Sequence, residues 1–366
     1  MNDKELSIII PVYNGQDYIV RCVDSIMRQR DADQHEIIIV DDGSTDDTPK
    51  ILDAAANVYK NIRVIHQKNG GVSVARNTGI AASHGKYVTF VDADDMVGLR
   101  VEAFDEFFYE KEKVFDGLCY DRRLTGITYR DTDVFPRNLL DGDFFTATYF
   151  INMLNSARNT GADVVLGGHI AIEYPMSMWK QVYETETIYG KSTEDKDKII
   201  LHAETRQNAN FALYSRKMLD VHNLRFMVNM DLDEDILFCM LAALYAEKVV
   251  TVPDVTYFYY RHENTLSNIT NKDRREQKLY VAYIQRFSVF LSKLSEEIVK
   301  QPDYARIFHW YMKMFAQKYD PGKLRDCFPP EKCFYCGEKE CTGCFVADGM
   351  REQFTKNIEK YLGTTK

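Results

Sequence analysis

Three carboxylates stand within four residues at Asp92-Ala93-Asp94-Asp95, directly after the β-rich run from Lys86 to Val91. Like charges about 4 Å apart repel by about 4 kcal/mol at an effective dielectric near 20, so the cluster calls for solvent, protons or something positive beside it. A second acidic set, Asp231, Asp233, Glu234 and Asp235, precedes the apolar pattern Ile236, Leu237, Met240, Leu241 and Leu244. On charge pattern alone this is a helix start, where carboxylates favour the dipole by about 0.3–1 kcal/mol. Between the two sets, Lys68-Asn69-Gly70-Gly71-Val72-Ser73 runs into a helix start, where free backbone N–H groups favour an anion. Arg76, one turn further on, either adds a charge-assisted contact to that anion or pairs with a nearby carboxylate, and the pattern leaves both readings open.

The elements that must position these groups alternate over the first hundred residues. Apolar runs at Leu6 to Val12, Glu36 to Val40, Ile62 to Ile65 and Tyr87 to Val91 read as strands. Between them, helical spacing appears at Tyr18 to Met27, at Ile51 to Val58 behind Pro49, and at Ser73 to His84, with Gly85 as the expected helix stop. Such alternation implies a mainly parallel sheet covered on both faces, whose ligands sit beyond the carboxyl ends of the strands. Three polar loops follow strand ends there: Pro11-Val12-Tyr13-Asn14-Gly15, Asp41-Asp42-Gly43-Ser44 and Asp92-Ala93-Asp94-Asp95. From Leu99 to Gly161 the pattern loosens into an aromatic, charged insertion expected to be mainly helical. Strand signals return at Asp163 to Leu166, Asn210 to Tyr214 and Lys248 to Val252, and after Ser267 the chain turns helical.

Composition narrows the function. A net charge of -9 argues against a general nucleic-acid binder, which needs a Lys/Arg face, but allows one local nucleotide site. No apolar run reaches the ~18 residues of a membrane span, and the first residues do not read as a secretory signal. The expected compartment is the cytoplasm, with peripheral contact at the inner membrane face left open. The turn after the first strand lacks a Gly-x-Gly-x-x-Gly pattern, which speaks against a nicotinamide dehydrogenase. Gly79 to Lys86 has an extra residue between its glycines and Tyr87 in place of Ser or Thr, so it reads as a helix end and not a phosphate loop. Of eight cysteines, Cys22, Cys119 and Cys239 read as small core residues. The others crowd into 327–344, where Cys333, Cys336, Cys341 and Cys344 form two Cys-x-x-Cys pairs. Gly337 and Gly343 permit turns that would bring four thiolates to a structural Zn²⁺; free or redox-paired thiols, or an iron–sulfur centre, are the alternatives.

Four blocks stand in the order and spacing of a known family. Ser7 to Asn14, Glu36 to Asp46, Gly71 to Ile80 and Phe90 to Asp95 together resemble glycosyltransferase family 2, closely over the first hundred residues and loosely beyond. The resemblance implies an α/β GT-A (Rossmann-like) fold with a mixed, mainly parallel sheet flanked by helices, and a helical C-terminal extension. It implies residues 1–266 as the transferase domain: 1–98 nucleotide-binding, 99–160 insertion and 161–266 acceptor half, followed by helical residues 267–366. The implied activity is inverting transfer from a nucleotide sugar, most often a UDP-sugar, to a glycan or lipid-linked glycan hydroxyl in bacterial surface or capsular polysaccharide synthesis. Pro11 and Tyr13 would line the base and ribose, Asp42 would accept from uracil, and Asn14, Arg76 and Ala93 would complete the nucleotide-sugar set. Asp92-Ala93-Asp94 resembles the family's Asp-x-Asp signature, with Asp94, helped by Asp92, binding the Mg²⁺ or Mn²⁺ that supplies the missing positive charge. Glu234-Asp235 followed by Phe238 resembles the family's acceptor-side block, which makes Asp235 the expected base, Glu234 its supporting carboxylate and Asp233 the rival. Arg261 or His262, in a stretch resembling the loop that closes many bacterial members, would reach the diphosphate. The competing classes are a noncatalytic nucleotide-sugar-binding or scaffold protein of this fold and a sugar nucleotidyltransferase.

Overall fold

The computed structural model describes residues 4–98, 147–173, 177–181, 183, 186–206, 208–230, 232–261 and 272–318. Cys119, the four expected zinc ligands Cys333, Cys336, Cys341 and Cys344, His262, the side chain of Arg261 and residues 99–146 of the insertion lie outside this description.

The strands form one sheet. In chain order they are β1 (Leu6–Val12), β2 (Glu36–Asp41), β3 (Ile62–His66), β4 (Tyr87–Phe90), β5 (Met96–Val97), β6 (Val164–Glu173), β7 (Ser177–Gln181), β8 (Thr187–Tyr189), β9 (Ala212–Ser215) and β10 (Val249–Arg261). Their spatial order is β3-β2-β1-β4-β9-β6-β10-β5, with β7 on β6 and β8 on β10. The first four are mutually parallel; β9 runs antiparallel between β4 and β6, and β6 and β10 are parallel again. The sheet is thus mixed and mainly parallel, as expected.

Every residue of β1 is buried because the strand is covered on both faces. Leu6, Ile8, Ile10 and Val12 join a core with Cys22 and Ile26 of α1 (Ile19–Met27) and Leu52 of α2 (Thr48–Val58). The same core takes Phe150, Met153 and Leu154 of α4 (Tyr149–Thr160). On the opposite face, Ile38 and Val40 of β2 cluster with Ala75 of α3 (Val72–Ala82). Gly85 does not stop α3, which ends three residues earlier at Ala82. It is small for a different reason: a Cβ there would stand 2.5 Å from the Ser7 nitrogen of β1.

The chain divides into two compact units. The first comprises residues 1–190, 209–223 and 246–265 and contains the sheet, α1 to α4 and α6 (Arg216–Val221). The second draws on 191–208, 224–245 and the residues from 266 onward. Its described elements are α5 (Thr193–Arg206), α7 (Glu234–Tyr245), α8 (Lys272–Ile298) and α9 (Ala305–Lys318). Here α5 and α8 pack against α7, whose residues Leu237 to Leu244 are all buried. The α8 stripe Tyr283, Phe287, Phe290, Leu291 and Leu294 is buried as the spacing predicts, while Leu279 at its start is exposed. No helix among the described residues is long and apolar enough to cross a membrane.

Candidate active site

Because β1, β2 and β4 are parallel neighbours, the loops that leave their carboxyl ends share one rim. The first two loops are clasped by reciprocal bonds. The Asn14 N–H donates to Ser44 Oγ (2.9 Å), and Asn14 Oδ1 accepts from the Thr45 N–H (2.8 Å). Two residues on, the Gln16 N–H donates to Asp46 (3.2 Å) and Gln16 Oε1 accepts from the Asp47 N–H (3.0 Å). Asn14 reaches this geometry at φ 51°, a left-handed conformation that asparagine tolerates. Its neighbour Tyr13 is 53% exposed, so its ring presents an apolar face at the rim.

Two consecutive side chains at the end of β3 fix the two acids at the end of β2. His66 Nδ1 lies 2.8 Å from Asp41 Oδ2, and the Ser44 N–H donates to Asp41 Oδ1 (2.9 Å). Burial works against the Asp41 carboxylate, but the bonds from Ser44 and His66 outweigh it and hold its pKa below the usual value. The same contact with Asp41 raises the pKa of His66, whose Nε2 lies 3.3 Å from Asp53. Gln67 Nε2 donates to Asp42 Oδ1 (2.6 Å), which also accepts from the Gly70 N–H (2.9 Å), while Oδ2 accepts from the Gly71 N–H (2.8 Å). The anion at the start of α3 is therefore the chain's own Asp42, a correction to the expectation of free N–H groups there. A carboxylate offers about four acceptor positions, so one remains on Oδ2.

The acidic turn after β4 is held from several elements of the first unit. Arg76, 3% exposed, donates from Nη2 to Asp92 Oδ1 (2.9 Å), and Asn210 Nδ2 donates to Asp92 Oδ2 (2.6 Å). Of the two readings left open for Arg76, the carboxylate pair is the one found. Asp95 is fully buried and accepts from Tyr257 Oη at 2.6 Å; the same hydroxyl accepts from the Asp92 N–H at 3.0 Å. From α1, Arg21 Nη2 donates to the Asp94 carbonyl (2.6 Å) and Cys22 Sγ approaches the Asp92 carbonyl (3.5 Å). Part of the positive charge sought beside the three acids is thus Arg76 itself. Asp94, partly exposed like Asp92, stands between these two tethered acids. Tyr257, Asn210, Arg21 and Gln67 carry no local mark in the sequence, because their roles depend on strand order.

Residues 7–136 match the family model described as Glycosyl transferase family 2. The chain is 28% identical over 288 residues to the uncharacterized glycosyltransferase EpsJ of Bacillus subtilis, spanning 76% of this chain and 68% of that one. It is 50% identical over 94 residues to the uncharacterized glycosyltransferase YibD of Escherichia coli, spanning 26% of this chain and 27% of the relative. Among solved structures, S. aureus TarS 1–349 in complex with UDP superposes with a TM-score of 0.55 at 18% identity, covering 88% of this chain and 77% of that chain. Its complex with UDP-GlcNAc gives 0.52, also at 18% identity, over 87% and 83%. Residues 7–136 form a glycosyltransferase family 2 domain. The rim of β1, β2 and β4 lies in the matched segment, and the TarS likeness supports the GT-A fold.

The carboxylates expected on the acceptor side, Asp233, Glu234 and Asp235, lie in the second unit. Glu234 and Asp235 occupy the first turn of α7, where Asp235 Oδ1 accepts from the Ile236 N–H (2.7 Å). Asp233, at φ 64°, accepts from Arg286 Nη1 at 2.6 Å, and both side chains are mostly buried. That ion pair commits Asp233 to a structural contact.

Family 2 enzymes commonly use divalent metal ions. Among the described residues, no group of three or more His, Cys, Asp or Glu side chains is arranged to hold one. A narrower role fits Asp94, because Mg²⁺ and Mn²⁺ bind readily through one or two carboxylates while substrate phosphates and waters fill the remaining positions.

Proposed function

We propose that this family 2 glycosyltransferase inverts configuration as it moves a sugar from a UDP-sugar to a hydroxyl of a glycan or lipid-linked glycan, in the assembly of a bacterial surface or capsular polysaccharide. The observation that carries the donor reading is the remaining acceptor position on Asp42, beside the clasped loops of β1 and β2. Uracil offers an N3–H donor to such a position. The TarS complexes with UDP and UDP-GlcNAc support the same choice. Pro11 and Tyr13 flank the base and ribose in this reading. Arg76 holds Asp92 in place, and Asn14 and Ala93 shape the sugar side of the rim.

Asp94, with Asp92 nearby, would hold a Mg²⁺ or Mn²⁺, which would supply positive charge against the departing diphosphate. The chain's own work is to orient that diphosphate and to remove a proton from the attacking hydroxyl. Asp235 is the proposed base, since Asp233 is engaged by Arg286; Glu234 is a second carboxylate whose charge would favour proton uptake by its neighbour. Arg261 and His262 are proposed diphosphate contacts.

The test is UDP release from a panel of UDP-sugars, with a glycan acceptor mixture, in Mn²⁺ and then in EDTA. Release that disappears in EDTA and returns with Mn²⁺ is expected. UDP binding without turnover of any donor would favour the noncatalytic reading, and pyrophosphate release from UTP and a sugar phosphate would favour a nucleotidyltransferase.

A further inference from the structure

The turn that presents Asp94 bridges two distant strands. It begins at the end of β4, in the parallel half of the sheet, and ends at β5, which pairs with β10 through Met96↔Phe258 and Val97↔Tyr257. Strand β10 changes register between Thr251 and Thr256, and beyond that irregularity Tyr257 is fully buried. Its hydroxyl has one proton and accepts as well as donates, and it spends both capacities on the same turn. It accepts from the N–H of Asp92 (3.0 Å) and donates to the carboxylate of Asp95 (2.6 Å), the first and last residues of the turn. The turn closes on itself through the Asp95 N–H to the Asp92 carbonyl (3.0 Å). Burial first, and then the charges of Asp95 and Asp92, push the Tyr257 hydroxyl pKa far up, so it keeps its proton. Ala93 and Asp94 lie between these ends, and Arg21 Nη2 donates to the Asp94 carbonyl (2.6 Å).

We propose that Tyr257 and Asp95 are positioning residues for the metal carboxylate: the hydroxyl bridge from Asp92 to Asp95 sets the pitch of Asp94, so that β10 controls how well the donor's cation is held. This rests on the assignment of Asp94 to a divalent ion under Proposed function. Asp95 itself is not a ligand, because its fully buried carboxylate is turned to Tyr257. Groups that orient ligands without touching a metal typically change its affinity by about 10- to 100-fold when removed.

The test is Mn²⁺ uptake in the presence of UDP, read as loss of the free-ion paramagnetic resonance signal, beside UDP binding in EDTA. Tyr257→Phe keeps the ring and removes the bridge. It is expected to weaken Mn²⁺ uptake about 10- to 100-fold, with UDP binding in EDTA unchanged. Parental uptake by this variant, or an equal loss of metal-free UDP binding, would overturn the proposal. Asp95→Asn keeps an acceptor for the hydroxyl and is expected to hold Mn²⁺ within about threefold of the parent, a small effect on the scale of lost positioning groups. If it loses Mn²⁺ as completely as Asp94→Ala, Asp95 is a ligand and the positioning role is wrong, which holds even if Tyr257→Phe does not fold. Asp94→Ala separates the two levels. Full Mn²⁺ uptake by that variant removes the metal assignment and this inference together, whereas loss there beside parental uptake by Tyr257→Phe removes the positioning role alone.

Discussion

His66 ties the rim to pH. Its pKa is raised by Asp41, so its contribution to stability is complete below the unfolded value of about 6.5 and is lost as pH rises through the higher folded value. Asp41, lowered by the same pair, contributes above its own unfolded value and loses that contribution only in acid. The pair is therefore most effective in mildly acidic solution. The stability difference between the parent and His66→Ala should widen as pH falls from about 8 toward 6, measured by urea unfolding; a difference that is flat across that range would contradict the pairing. At the same scale, Asp233→Asn removes the charge that pairs with Arg286 and should destabilise the fold by about 1–3 kcal/mol. Asp42 is legible in the sequence as an acid at a strand end. Its capture of Gly70 and Gly71 is not legible, because that contact joins residues 28 and 29 positions apart through the order of strands.

Elements differ in the same way. Strands β1 and β4 and helices α1 and α2 are readable because buried parallel strands make unbroken apolar runs and the intervening helices carry a single stripe. Strand β10 is readable only in pieces, since Pro253 and Asp254 interrupt its pattern where the register shifts. The pattern of β6 stops short at Leu166 for a like reason, the pair Gly167 and Gly168. Helix α5 escapes a reading by pattern because its buried face includes a lysine. Lys196 is 1% exposed and donates from Nζ to the carbonyls of Ala243 (2.7 Å) and Leu244 (3.0 Å), the orphan acceptors in the last turn of α7. Lys196→Met fits the space without the donors and should lower stability by about 1–3 kcal/mol in urea titrations. Gly85→Ala should cost a similar ~1–3 kcal/mol through its collision with the β1 backbone, although the residue lies in a loop. An unchanged midpoint for Gly85→Ala would show that β1 can yield there.

At the scale of the whole molecule, the proposed donor rim belongs to the first unit and the proposed base to the second. Binding and chemistry should therefore separate under mutation. Asp235→Asn should leave UDP affinity within about twofold while lowering kcat by about 10²–10⁴-fold, the range for loss of a general base; loss of UDP affinity instead would place Asp235 in the donor pocket. The family is legible because its four blocks lie in the unbroken first hundred residues, whereas the second unit is gathered from separate stretches and leaves no continuous pattern to read. The most direct measurement is a crystal structure of the protein grown with UDP and Mn²⁺. The ion is expected on the Asp94 carboxylate and the uracil N3–H on Asp42 Oδ2. UDP bound away from the ends of β1, β2 and β4, with Asp94 making no contact to the ion, would contradict the donor site proposed for this rim.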